Sequence, residues 1–289
     1  MLFNSRIAAS SYKKCVSPYG DWVVDFGKRW LLAQHVEAEG WKDFGTTPSH
    51  FSREYWDWEL GFLGLNVDYI ESLAPCNVLE VGCGPFGMIH FIEAEGARIG
   101  IEPLAVELKN MGFSISFTGD RRDVHVAAVG EAIPTADETI DIVICFNVLD
   151  HAAAPGQVLT ECKRVLRPQG ILLFNVNVIR SFLKPLRPLL SRIDRPHLFH
   201  WTSDEVLHML DDVDFDVLFK RCEPRKNYKF SLVNLLLPRR GPDSPNRSVT
   251  YLRVGEDRYV SAKGSALRHL GSNLMHMRLD LRAQKRDFR

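Results

Sequence analysis

The 289-residue sequence has no excess charge of either sign, with 36 Lys and Arg against 36 Asp and Glu. A chain that binds nucleic acid over its whole surface usually shows a basic bias, so none is expected here. No apolar run approaches the roughly 18–20 residues of a membrane-spanning helix. The longest candidates, around Ile140–Leu149 and Leu232–Leu237, are strand-sized. The opening residues, Met1-Leu2-Phe3-Asn4-Ser5-Arg6, lack the apolar stretch of a secretory signal. The six cysteines (Cys15, Cys76, Cys83, Cys145, Cys162 and Cys222) form no Cys-x-x-Cys pair and no Cys/His cluster at zinc spacing. There is no internal repeat. A collagen, a disulfide-framed miniprotein, a membrane channel and a disordered tail are therefore excluded. A cytoplasmic globular protein with reduced, mostly buried thiols is expected. What is present is ample core material, 45% hydrophobic and 25% charged residues, over a length for one large domain or two small ones, at roughly 100–200 residues each.

Residues 1–76 read as helical and hold five of the six tryptophans: Trp22, Trp30, Trp41, Trp56 and Trp58. Apolar residues at mixed spacings of three and four predict a partly buried helix over Asp21–Glu39, ending near Gly40. A second helix is expected over Ser52–Leu63, with Ser52 as N-cap and Glu54 in its first turn. The pattern then changes to βαβ units. Strands are expected at 77–81, Ala97–Ile101, Val124–Val129, Asp141–Phe146, Gly170–Val178 and Phe215–Lys220. Helices are expected from the glycine loop to Glu95 and at Leu104–Met111, Gly156–Leu166 and Ser203–Leu210. Such alternation means an α/β fold, a mostly parallel sheet covered on both faces, with its ligand at the carboxyl ends of the strands.

Two segments depart from that rhythm. Residues 179–200 carry Arg180, Lys184, Arg187, Arg192 and Arg195 against one acid, Asp194, and read as an irregular basic insert. After a stretch rich in Pro, Arg and Gly (Pro238–Arg247) and a strand at Val249–Val254, the spacing of Leu267, Leu270, Leu274, Met277 and Leu281 predicts an amphipathic helix. Seven basic and two acidic residues over 261–289 would suit that helix to a membrane surface or a partner. The chain thus divides into a helical cap (1–76), a core (77–221) with its insert, and a C-terminal strand and helix (222–289).

The strongest chemical signal is the loop Gly82-Cys83-Gly84-Pro85-Phe86-Gly87 after the strand Val78–Val81. Glycines let backbone N–H groups approach a ligand closely. Gly82-x-Gly84-x-x-Gly87 by itself also matches a dinucleotide fingerprint, with Glu102 near the usual acidic position, so an NAD-dependent oxidoreductase is one alternative. Glu80, two residues before the first glycine, weighs against it. A carboxylate there repels a pyrophosphate but suits a ligand with an ammonium and a sulfonium, such as S-adenosylmethionine.

Four ordered segments resemble the class I S-adenosylmethionine-dependent methyltransferases, especially the broad group that acts on small molecules. These are Val78–Gly84, Gly100–Pro103, Gly130–Val143, and Asn147–His151 continuing through Arg164–Leu172. The resemblance covers about half of the chain, 77–221, and implies a Rossmann-like, mostly parallel seven-stranded sheet. It also implies S-adenosylmethionine as cofactor, with Glu80, Gly82, Cys83, Gly84, Gly87, Glu102, Pro103, Val129, Gly130 and Asn147 at its site and Glu102 on the ribose hydroxyls. Two departures stand out. The third glycine is displaced to Gly87, with Phe86 in its usual place, and Val129 stands where many relatives have an adenine-binding Asp.

Methyl transfer to a hydroxyl benefits from a general base. His151, just after strand four, is the first candidate, followed by His197 and His200 before the capped helix start Trp201-Thr202-Ser203-Asp204-Glu205. No metal is expected. The acceptor implied is a small molecule, anionic or lipid-linked, such as a glycan, drawn by the basic insert. A module that binds S-adenosylmethionine without turnover is the other alternative.

Overall fold

A computed structural model describes residues 26–44, 51–93, 95–115, 123–194, 196–224, 251–253, 259–261 and 276–285. Helices α1 (Phe26–Phe44), α2 (Arg53–Gly61) and α3 (Val67–Ser72) precede β1 (Val78–Val81). Then come β2 (Arg98–Ile101), α4 (Ala105–Asn110), β3 (Asp123–Val126), β4 (Ile140–Phe146), α5 (Pro155–Val165) and β5 (Leu166–Ile179). After these lie α6 (Arg187–Ile193), α7 (Ser203–Asp212), β6 (Phe215–Pro224), β7 (Tyr251–Arg253), β8 (Tyr259–Ser261) and β9 (His276–Lys285). Strands β7 and β8 pair with each other, and the other seven form one sheet in the order β3-β2-β1-β4-β5-β9-β6.

The expected sheet is present. Strands β3, β2, β1, β4 and β5 pair in parallel, and β9 lies antiparallel between β5 and β6. Strand order reverses between β1 and β4, which opens a crevice at their carboxyl ends. The local chemistry fits the elements. Ser52 caps α2 by accepting from Tyr55 N–H, and Thr202 and Glu205 form the capping box of α7. Asp141 fixes the start of β4 by accepting from Asn77 N–H and pairing with Arg167 at 2.7 Å.

Both faces of the sheet are covered, one by the expected helices and the other by a different layer. On one face Val81, Val143, Cys145, Phe174 and Leu281 pack with Val158, Leu159 and Cys162 of α5 and Val206 and Leu210 of α7. On the other, Val78, Ile142, Ile144 and Leu173 pack with Trp56, Leu60 and Ile70 from α2 and α3. Each fully buried aliphatic side chain adds about 1.5–3 kcal/mol. Helices α2 and α3 are therefore a layer of the sheet domain rather than a separate cap. They fill space that the chain after β1 leaves open, because no α-helix forms there. Only two short 3₁₀ turns, Gly84–Phe86 and Met88–His90, follow the loop. Pro85 has no N–H to donate, and Gly87 between the turns is extended (φ −58°, ψ 161°), which stops a helix from propagating. Helix α1 departs from expectation as well, running through Gly40 to Phe44.

The C-terminal helix is corrected outright over 276–285. This segment is the strand β9, pairing with β5 from Ile179–His276 to Ile171–Gln284. Leu279, Leu281 and Ala283 are fully buried at every second position, while Arg278 and Arg282 alternate with them on the other face. That is the two-residue period of a strand. The spacing of three and four came from Leu267, Leu270 and Leu274, which lie outside the described residues, as does Cys15. Membrane contact through a helix here is thereby excluded for 276–285. Among the described residues no helix is long and apolar enough to cross a membrane.

The basic insert also has more structure than expected. It forms a 3₁₀ turn at Ser181–Leu186 and then α6. Arg187 pairs with Glu205 and donates to His200 C=O, and Lys184 lies 3.2 Å from Glu205. Two of its five cations are thus partly neutralised on α7.

Candidate functional site

A cleft of about 640 Å³, open to solvent, lies at the carboxyl ends of β1, β2 and β4. Gly82 and Gly84 from the loop, Glu102 and Pro103 after β2, Val129 and Gly130 after β3, and Asn147 and His151 after β4 all line it. The sequence-derived set is therefore largely brought together. Trp30, Gln34, Glu37 and Trp41 of α1 complete the wall. Arg29 ties α1 down by donating to the carbonyls of Ser191, Asp194 and His197 at 3.0, 3.1 and 3.0 Å. These α1 residues were not foreseen, because helical periodicity shows which face is buried but not what it covers. Glu131 was missed too. Its Oε1 accepts from Ala153 N–H and Ala154 N–H, pinning the loop after β4.

Gly82 has φ +66°, and a Cβ there would fall 2.5 Å from Val148 Cγ2. The turn off β1 thus needs both glycine's left-handed freedom and its missing side chain. Gly87 has another role. A Cβ at that position would sit 2.5 Å from Glu80 Oε2 and 2.6 Å from Cys83 C=O, so its absence lets Glu80 tuck beneath the loop. Glu80 is buried, accepts from Ile89 N–H at 3.0 Å, and does not line the cleft. It acts on the loop's shape, where the sequence had placed it facing the ligand. Cys83 is likewise buried under the loop, off the cleft wall.

Glu102 accepts from Gly84 N–H at 3.0 Å and Leu104 N–H at 2.8 Å. Burial raises its carboxyl to about 7, against the lowering effect of those two bonds. Burial raises Glu80 to about 7 in the same way, opposed by bonds from Ile89 and Met88. Both native carboxyls hold protons that an unfolded chain would release near pH 4.5, so stability is lost as pH rises through 7. Glu80→Gln is therefore expected to stabilise the ligand-free protein at pH 8 by up to about 3 kcal/mol, and to do little at pH 4. Urea denaturation at the two pH values checks this. An equal effect at both would show that Glu80 titrates normally.

Three carboxylates, Glu37, Glu102 and Glu131, line the cleft, and no Lys or Arg does among the described residues. A pyrophosphate would find acidic groups and no cationic side chain of Lys or Arg on this described wall, whereas a ligand bearing a sulfonium and an ammonium is favoured.

The three histidines lie next to one another but differ in their access to the cleft. His151, in the turn Leu149–His151, reaches the cleft wall. Its Nε2 is 3.5 Å from Asn147 Nδ2, and its Nδ1 is 4.0 Å from Glu37. Asn147 itself has φ +56°, a left-handed turn that asparagine tolerates. Its Oδ1 accepts from Asn177 Nδ2 at 2.7 Å. His197 is buried behind His151, with ring centroids 4.6 Å apart. His200 is deeper still, its Nε2 3.1 Å from Asp194 Oδ2. Neither lines the cleft. Burial alone would raise the Asp194 carboxyl. Hydrogen bonds from His197 and His200 outweigh burial and hold it well below the usual range.

Comparison with known proteins agrees with this geometry. Residues 79–174 match the family profile described as a methyltransferase domain. An uncharacterized methyltransferase of Mycolicibacterium vanbaalenii is 34% identical over 109 residues, 37% of this chain and 42% of the relative. One from Mycobacterium tuberculosis is 37% identical over 102 residues, 35% of this chain and 39% of the relative. The chain thus spans less than half the length of the curated relatives it matches. A Bacillus halodurans protein taken to be a methyltransferase superposes with a TM-score of 0.52 at 18% identity, covering 76% of this chain and 97% of the other. The 4+2 cyclase SpnF gives 0.52 at 17%, covering 90% and 95%. These structures share the fold.

Proposed function

We propose that residues 79–174, which match a methyltransferase domain, are the core of a class I S-adenosylmethionine-dependent methyltransferase, and that this protein binds S-adenosylmethionine in the cleft. We further propose methyl transfer to a hydroxyl of a small molecule, a glycan or lipid-linked saccharide. The observation that carries this reading is the cleft itself, where a glycine turn and the carboxyl groups of Glu37, Glu102 and Glu131 stand with no lysine or arginine on the wall among the described residues. The residues present fit the cofactor. Gly82 keeps the backbone free of a side chain, and Glu102 lies where ribose hydroxyls would donate to it. Val129 and Gly130 offer backbone groups on the adenine side, in place of a side-chain carboxylate.

S-adenosylmethionine supplies an activated methyl group and a neutral leaving group, so the protein's work is alignment and exclusion of water. Trp30 and Trp41 of α1 line one side of the cleft and give it apolar surface that displaces water from a bound cofactor. Among the described residues His151 is the histidine on the cleft wall, placed to act on an acceptor hydroxyl, and Asn147 holds its ring on one side. The basic insert, with Phe182, Leu186 and Leu189 exposed beside Lys184 and Arg192, supports an amphiphilic anionic acceptor. His197 and His200, off the wall, act through the position of the loop rather than on the acceptor.

Incubation with S-adenosylmethionine and a panel of hydroxylated acceptors, read as product mass, tests the reading. A gain of one methyl group is expected, and His151→Ala should slow it by about 100-fold or more while leaving cofactor affinity within twofold. Tight cofactor binding with no transfer to any acceptor, including a native cell extract, would favour the non-catalytic module.

A further inference from the structure

Asp150, His151 and His197 come together from two distant parts of the chain, the turn after β4 and the loop after α6. One ligating atom of each lies within 4.8 Å of the others. His197 Nδ1 is 2.8 Å from Asp194 Oδ1. A carboxylate only accepts, so Nδ1 carries the proton and Nε2 turns its lone pair toward Asp150 Oδ2, 3.5 Å away. Two lone-pair atoms facing each other in a buried place call for a positive charge between them. A proton on His197 would answer that one contact. It would leave Asp150 Oδ1 with no hydrogen-bond partner, 4.0 Å from His151 Nε2, in a side chain only 1% exposed.

We propose that Asp150, His151 and His197 bind a divalent first-row transition metal of the zinc type beside the cofactor cleft. Two imidazoles and one carboxylate, with positions left open, form the donor set of catalytic zinc and non-haem iron sites. Asp194 on the far nitrogen of His197 is the carboxylate that metal-bound histidines usually carry. Asn177 Nδ2 donates to Asp150 Oδ2 at 3.1 Å and fixes its orientation. The chain brings Asp194 and His197 to the site by tying their carbonyls to Arg29 of α1, and Leu198 N–H donates to Asp150 C=O at 2.6 Å. Because His151 also lines the cleft, an open coordination position is within reach of an acceptor oxygen. Only this last role rests on the methyltransferase reading; the metal site does not.

The full-length protein, stripped with a chelator, is titrated with Zn²⁺ alone and separately with Co²⁺, whose visible absorption reports its ligand field. One metal per chain is expected. Affinity should fall at least 100-fold in His197→Ala and His151→Gln, and about 10-fold in Asp194→Asn. Cofactor titration of each variant reports whether it is folded. If His197→Ala does not fold, His151→Gln, at the half-buried rim, decides the matter. Absence of stoichiometric binding, or binding indifferent to the folded variants, overturns the site. Cofactor binding by the metal-free wild type tests the methyltransferase reading separately.

Discussion

Glu102→Ala is expected to weaken S-adenosylmethionine binding by about 1–3 kcal/mol, or about 5- to 150-fold. The effect has two sources. The carboxylate is the acceptor placed for the ribose hydroxyls, and it also holds Gly84 N–H and Leu104 N–H, so its loss loosens the loop that borders the cleft. Its elevated carboxyl, at about 7, adds a signature that a purely structural role would not give. Below pH 7 the carboxyl is protonated and accepts fewer hydrogen bonds, so wild-type affinity should rise from pH 5 to 7 and then level. In Glu102→Ala that rise should shrink. Calorimetric titration across this range measures both, and an unchanged affinity with an unchanged pH profile would refute the ribose role.

Arg278→Ala is expected to cost about 3–5 kcal/mol of folding stability at neutral pH. Arg278 on β9 bridges Glu59 of α2 and Asp280 at 2.6 Å each, and lies over the Phe62 ring at 4.5 Å. Asp280 is fully buried. Burial raises its carboxyl, and Arg278 only partly offsets this. Without the guanidinium, two buried carboxylates lose their shared partner, and the exposed Arg221 offsets the charge of Asp280 only in part. The carboxylates are relieved further by taking up protons, so the loss should be smaller at pH 5 than at pH 8. Urea denaturation at the two pH values checks the direction, and Asp280→Asn in the same background should recover part of the loss. A loss below about 1 kcal/mol at pH 8, the range of an exposed pair, would show that the bridge is solvated.

These two cases mark what the sequence does and does not reveal. The β1 strand, its glycine turn and Glu102 were legible because they are contiguous and their residue types have few structural uses. The alternation of strands and helices gave a parallel sheet for the same local reason. Strand β9 was misread because Met277 and Leu281 continued a helical spacing that began at Leu267, and ten residues of alternation were lost within it. The helix expected from the loop to Glu95 followed the strand–loop–helix pattern, although Pro85 and Gly87 stand in the way of one. The roles of Arg29, Glu37 and Asn177 depend on pairings across 27 to 168 residues, which no local spacing encodes. His197 was picked for its place before α7, while its pairing with Asp194 and Asp150 exists only in the folded chain.

The central claim is that the cleft is built for a cationic methyl donor. The most direct test is calorimetric titration of the wild-type protein with S-adenosylmethionine and, under the same conditions, with NAD. One molecule of S-adenosylmethionine per chain, with no heat from NAD, is the predicted result. Binding of NAD without binding of S-adenosylmethionine would contradict the account.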